Sequence, residues 1–170
     1  MFVSTYTYRL PFWLERKDLV GTLLGGWEVS GIARFQSGAP FTVSGNTSIG
    51  TRRSDFTGGD EQASTAGDLL PDNSVAWLDT TKFTTAPDGR LGNMTRNQFY
   101  GPGLQQWDIS LRKQFRLHGS VKAAFQADFF NAFNNLILRN PATTVTNPGF
   151  GTITSAVPLR NIQLGFRVTF

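Results

Sequence analysis

From Arg160 the chain reads Arg-Asn-Ile-Gln-Leu-Gly-Phe-Arg-Val-Thr-Phe. Ile162, Leu164, Phe166, Val168 and Phe170 fall on one side of an extended backbone, and Asn161, Gln163, Gly165, Arg167 and Thr169 on the other. Strict period two over so long a run defines a strand with one apolar and one polar face. A strand that crosses a bilayer needs about 9–11 residues, and this one is long enough. The pattern repeats upstream. Trp107, Ile109, Leu111, Phe115 and Leu117 share a face that Lys113 interrupts, while Asp108, Ser110, Arg112, Gln114 and Arg116 share the other. Val121, Ala123, Phe125, Ala127 and Phe129 then alternate with Lys122, Ala124, Gln126, Asp128 and Phe130. Pairing Leu117 with Val121 across His118-Gly119-Ser120 keeps both apolar sets on one face, which predicts a tight hairpin.

Trp27, Val29, Gly31, Ala33 and Phe35 alternate with Glu28, Ser30, Ile32, Arg34 and Gln36. This strand is expected to continue past a kink at Ser37-Gly38-Ala39-Pro40 into Phe41-Thr42-Val43, with a bulge or strand end at the proline. Phe2, Tyr6, Tyr8 and Leu10, opposite Thr5, Thr7 and Arg9, predict a further strand. Pro11 to Gly26 is a connector with a helical turn near Asp18–Leu24. The expected strands therefore cover residues 2–10, 27–43, 107–117, 121–131 and 160–170, and two turn-rich stretches remain, 45–106 and 134–158. Counting directions back from the C-terminal strand puts both long stretches on one side and both shorter connections on the other. That asymmetry is the one found in outer-membrane barrels. A connection as long as 45–106 is abnormal inside a compact soluble domain and is expected to carry short hairpins of its own.

Composition narrows the chemistry. The chain holds 170 residues with no Cys and one His, which excludes disulfide scaffolds and thiolate sites and leaves no multi-histidine metal site or histidine triad. A net charge of +4 with no basic stripe argues against nucleic acid as a partner. No apolar run approaches the roughly 18 residues of a membrane helix, and no signal peptide is visible at the N-terminus. The acidic residues Asp55, Asp60, Glu61, Asp68 and Asp72 do not match a calcium loop and are expected on a solvated surface. Gly101-Pro102-Gly103 lacks the lysine and donors of a phosphate loop and is expected to be a turn. His118 is expected to be solvent-exposed in its hairpin. Asn46-Thr-Ser48 and Asn93-Met-Thr95 match the glycosylation pattern, which is frequent by chance.

Alternation alone states only that one face is apolar. In a soluble sandwich that face meets a second sheet; in a barrel it meets lipid. Strand length, aromatics near strand ends (Trp27, Trp107, Phe129, Phe170, with Tyr6 and Tyr8 nearby) and mid-strand charges on the polar face all favour lipid. The polar-face charges Arg34, Arg112, Lys122, Asp128 and Arg167 then become candidates to line a wet lumen, or to pair across strands. The fold class expected is all-β, an antiparallel transmembrane barrel segment, open and incomplete.

Several stretches resemble the late strands of TonB-dependent outer-membrane receptors, the Oar-like group above all. They are Gly26-Trp27-Glu28-Val29-Ser30-Gly31, Ser37-Gly38-Ala39-Pro40-Phe41, Gly92-Asn93-Met94-Thr95-Arg96-Asn97, Tyr100-Gly101-Pro102-Gly103, Trp107-Asp108-Ile109-Ser110-Leu111, Phe129-Phe130-Asn131-Ala132-Phe133-Asn134, Phe150-Gly151-Thr152-Ile153-Thr154 and the final Phe170. The resemblance implies a barrel of about 22 strands with a plug inside it, an energy-coupling TonB protein as partner, and uptake of a bulky nutrient such as a metal chelate, cobalamin or glycan. With about five or six strands, too few to close a barrel, residues 1–170 look like the C-terminal segment of such a receptor. In the family the last strand is the signal read by the barrel-assembly machinery, and the matching residues are Ile162, Leu164, Phe166, Val168 and Phe170. The loop aromatics Phe56, Trp77 and Phe83 become candidates for ligand contact. The resemblance implies a bacterial outer-membrane uptake protein with lipid and the rest of the receptor as partners, no cofactor, no metal and no catalytic residue. The alternatives are a secreted soluble β-sandwich that binds carbohydrate through loop aromatics, and a β-rich glycan hydrolase fragment carrying a carboxylate pair in a cleft.

Overall fold

A computed structural model describes residues 1–13, 15–16, 18–116 and 121–170. The expected turn at His118-Gly119-Ser120 and the pairing of Leu117 lie outside the described residues. Five long strands form one sheet: β1 (Phe2–Arg9), β2 (Trp27–Gln36), β3 (Leu104–Arg116), β4 (Lys122–Phe130) and β5 (Asn161–Thr169), in that spatial order. β1 and β2 are antiparallel with Phe2 opposite Phe35 and Tyr8 opposite Val29. β3 and β4 pair from Ile109↔Phe129 to Arg116↔Lys122, and β4 and β5 from Phe130↔Asn161 to Lys122↔Thr169. β2 also runs against β3, because the ring at its end, Phe35, meets Trp107 while the ring at its start, Trp27, lies under Lys113. Consecutive strands therefore alternate in direction, and both long connections leave the sheet at one end. Each strand places several aromatic or β-branched side chains on one face, as a pleated half-exposed surface favours.

The connector between β1 and β2 contains the expected helical turn, α1 (Leu19–Leu24). Asp18 caps it by accepting the Gly21 N–H at 2.9 Å. Gly25 closes it by donating to the Gly21 carbonyl, and Gly26, with φ at 72°, turns the chain into β2. Tyr6 lies across Gly31 on the neighbouring strand: a Cβ at Gly31 would sit 2.6 Å from the Tyr6 hydroxyl. The ring occupies the place a side chain would take.

β2 ends at Gln36, short of the strand expected over 27–43. Pro40–Phe41 instead pairs with Phe99–Tyr100, and the Gly101 N–H donates to the Ala39 carbonyl at 3.0 Å. Gly38 packs so tightly that a Cβ would lie 1.7 Å from the Gly101 carbonyl oxygen. The chain leaves the sheet here because Gly38 permits backbone on backbone and Pro40 has no N–H to continue a ladder.

Residues 37–104 and 137–157 form a compact unit distinct from the sheet. It is built from four two-stranded ladders: Pro40–Phe41 with Phe99–Tyr100, Ser44–Thr47 with Gly50–Arg53, Asp55–Phe56 with Phe83–Thr84, and Val75–Ala76 with Thr152–Ile153. Its core gathers Phe41, Val43, Leu78, Phe83, Met94, Phe99 and Phe150, with Phe56, Trp77 and Val145 packed against it. Phe83 touches three rings, stacking on Phe56 with centroids 5.0 Å apart and meeting Phe99 and Phe150 edge-on. The unit is folded, where turn-rich composition alone suggested short hairpins on solvated loops; aromatic side chains scattered without period supply the core.

Candidate functional site: the two faces of the sheet

Residues opposite one another in the register share a face. One face carries Lys113–Phe125–Phe166, Leu111–Ala127–Leu164 and Ile109–Phe129–Ile162 in successive rows. Trp27, Phe35, Trp107 and Phe125 join this face through edge-to-face contacts. The predicted assembly row of β5 lies along it and is open: Leu164 is 71% exposed, Phe166 68% and Phe170 94%, with Ile162 and Val168 also exposed. A soluble sandwich would bury Leu164 and Phe166 against a second layer. Here nothing among the described residues covers them.

Lys113 is the exception on that face. It is 2% exposed, its ammonium lies 5.5 Å from the Trp27 ring and 5.0 Å from the Phe115 ring, and it donates to the Gly25 carbonyl. A charge among apolar side chains is tolerable when it is bonded and faced by aromatic rings.

The other face is polar. Arg34 pairs with Asp108 at 3.2 Å, and Arg9 with Glu28 at 3.4 Å. Asp128 accepts from the Gln126 amide at 2.9 Å. Arg112, Lys122 and Arg167 have no carboxylate partner among the described residues. They line one shallow hollow across β3, β4 and β5, with Gln114 and Thr169. The structure therefore divides the five lumen candidates: Arg34 belongs to an ion pair, Asp128 to an amide contact, and the remaining three form a basic patch.

Asp108 and three asparagines, Asn131, Asn134 and Asn135, hold this end of the sheet, a role that alternation does not assign them. Besides Arg34, Asp108 accepts from the Gln106 amide and from the Asn131 N–H at 2.9 Å. Asn131, 2% exposed with φ at 51°, ends β4. Its amide donates to the Asn135 carbonyl, its amide oxygen accepts the Asn135 N–H, and the Asn135 amide donates to the Gln105 carbonyl. Asn134, φ 57°, accepts the Arg160 N–H just before β5 begins. These are short amide side chains taking over backbone bonds where the chain turns left-handed. The signal was present as Phe129-Phe130-Asn131-Ala132-Phe133-Asn134, but period-two reading gives an asparagine after a strand no task.

The three loop aromatics lie inside the folded unit. Phe83 is 3% exposed and engaged on several sides; Phe56 and Trp77 are partly buried against the same core. At the edge of this core Asp55 grips Arg90 through both carboxylate oxygens, at 2.8 and 2.5 Å, and accepts the Asn93 N–H at 3.0 Å. The Asn93 amide in turn bonds both the N–H and the carbonyl of Phe56. The Arg90 hydrogen bonds hold the Asp55 carboxyl below the usual carboxylate range, with the Asn93 N–H adding to them, and the same contact raises the Arg90 guanidinium.

No curated protein and no solved structure matches this chain. A family model does, the outer membrane beta barrel domain, over residues 1–163. An open sheet of long strands, with one outward apolar face and one charged face, is what a slice of such a barrel wall consists of. The match spans nearly all of the chain, and the chain belongs to the outer membrane beta barrel domain family: it is an outer-membrane protein that crosses the bilayer with β-strands.

Proposed function

We propose that this chain is the C-terminal wall segment of a TonB-dependent receptor that imports a bulky nutrient (a metal chelate, cobalamin or a glycan), and that it works as a transporter and not as an enzyme. The observation that supports this reading is the open sheet. β1 and β5 each keep one strand edge without a partner among the described residues, and five strands are fewer than the eight of the smallest such barrels. The polar face, with its basic patch of Arg112, Lys122 and Arg167, would then become part of a lumen only when further strands and a plug complete the wall. β5 would supply the signal for the barrel-assembly machinery, since an edge strand with a one-sided apolar face can add to another sheet edge.

The test is uptake by cells producing the whole receptor, with and without the TonB protein, using a labelled ferric siderophore, cyanocobalamin and an oligosaccharide as probes. One of the three should accumulate only when TonB is present. Accumulation of none, or accumulation independent of TonB, overturns the transport reading. For the assembly role, Phe170→Asp should lower the amount of correctly assembled receptor in the outer membrane several-fold. An unchanged yield removes that role from the last strand.

A further inference from the structure

The connector from Leu10 to Gly26 does more than join β1 to β2. Phe12, Trp13, Leu19, Val20, Leu23 and Leu24 are all exposed, Leu19 at 79% and Leu23 at 59%. On α1 the four apolar residues stand at i, i+1, i+4 and i+5, which is one side of a helix. The opposite side is closed by design of the backbone: a Cβ on Gly21 would lie 2.1 Å from the Arg16 carbonyl oxygen, and one on Gly25 would lie 2.7 Å from that of Trp13. The described residues of the connector are thus folded back on one another with these apolar side chains outward.

Two side chains of the sheet hold it in place. The Trp27 indole donates to the Leu23 carbonyl at 3.1 Å, and the Lys113 ammonium donates to the Gly25 carbonyl. Lys113 stands in the row of Phe125 and Phe166, on the membrane face. The last turn of the connector is therefore tied to the face that meets lipid and not to the polar face. It also lies at the end of the sheet with the shorter connections, which in outer-membrane barrels is the periplasmic end.

We infer that the 10–26 connector is an interfacial anchor: its apolar side lies in the boundary between headgroups and acyl chains of the periplasmic leaflet, as a continuation of the sheet's membrane face. Phospholipid is the occupant because the exposed side chains are continuous with a surface already in lipid. The adjacent rings of Phe12 and Trp13, 5.8 Å apart, are of the kind that settles at headgroup depth. Lys113 fits the same placement, since its charge serves to hold a carbonyl at the interface and not to cross the hydrocarbon.

The chain has no cysteine, so spin labels can be placed singly by Phe12→Cys, Leu19→Cys and Leu23→Cys, with Ser64→Cys in the folded loop unit as the reference in water. In isolated outer-membrane vesicles, the ratio of relaxation by oxygen to relaxation by a water-soluble nickel chelate should be at least several-fold higher at positions 12, 19 and 23 than at 64. Ratios equal to that at 64 would place the connector in water and overturn the inference. Low accessibility to both reagents would mean that protein covers it, another part of the chain or a second copy, and would overturn it equally. Three positions are used so that the outcome does not hang on one variant.

Discussion

The sheet and the folded loop unit use the same apolar residues in opposite ways. In the sheet, Leu164 and Phe166 recur every second residue and point outward, 71% and 68% exposed. In the loop unit, Val43, Phe83 and Met94 follow no period and are 0–3% exposed. A periodic apolar row needs an external medium or partner to cover it; an aperiodic set can converge only by folding the chain around itself. The sheet is thus built for lipid and the loop unit for water, within one polypeptide. The lesson is that hydrophobicity by itself does not locate a membrane surface: spacing defines a one-sided apolar face, and the lack of a covering layer over that face among the described residues separates the barrel wall from a sandwich.

The largest expected effect that sharpens this contrast is Phe83→Ala. Removing a ring that packs on Phe56, Phe99 and Phe150 should cost the loop unit about 3–5 kcal/mol. Hydrogen exchange should speed up across residues 41–99 while the sheet keeps its protection. Protection unchanged in the loop unit would break the claim that it has a core of its own. Next is Leu164→Arg, set against Gln163→Arg on the adjacent position. A cation on the lipid side near mid-bilayer should cost about 2–4 kcal/mol in urea titrations of the protein in vesicles, and the same cation on the polar side far less. Equal costs would mean the faces are misassigned.

The smallest effect is electrostatic and belongs to the loop unit. Asp55 has a folded-state pKa below its ordinary value of 3.8, chiefly through the Arg90 hydrogen bonds. The unfolded chain therefore binds the proton more readily than the folded one. The stabilisation is fully present above the ordinary value and is lost as pH falls through the lowered one. Acidification below about pH 4 should loosen residues 55–93 to proteolysis, and Asp55→Asn should flatten that dependence. An Asp55→Asn protein with the same acid response as the parent would assign the response to other carboxylates.

Much of the sheet was legible because period two needs only the chain itself to be read. Strand identity, the apolar row of β5 and the shared face of β3 and β4 follow from alternation, and the register confirms the sharing, with Phe125 between Lys113 and Phe166. The early end of β2 was not legible, since whether Ser37–Pro40 bends or terminates the strand depends on residues far along the chain, Tyr100 pairing with Pro40 and Gly101 packing against Gly38. Nor were the bonds of Asp108 to Arg34 and to the Asn131 N–H, which join residues 74 and 23 positions apart.

What the sequence by itself determined is which side of each strand is greasy, because the geometry of an extended chain assigns alternate residues to opposite faces without reference to anything else; that this side meets hydrocarbon and not a second sheet rests on the exposure of Leu164 and Phe166 and on the family match. Only the tertiary structure decided that Lys113 is sheltered under Trp27 and tethered to Gly25, that Phe83 is interior and that three cations of the polar face stay together while Arg34 finds Asp108. Those outcomes rest on contacts between distant segments, and a local pattern carries no information about which distant residues will meet.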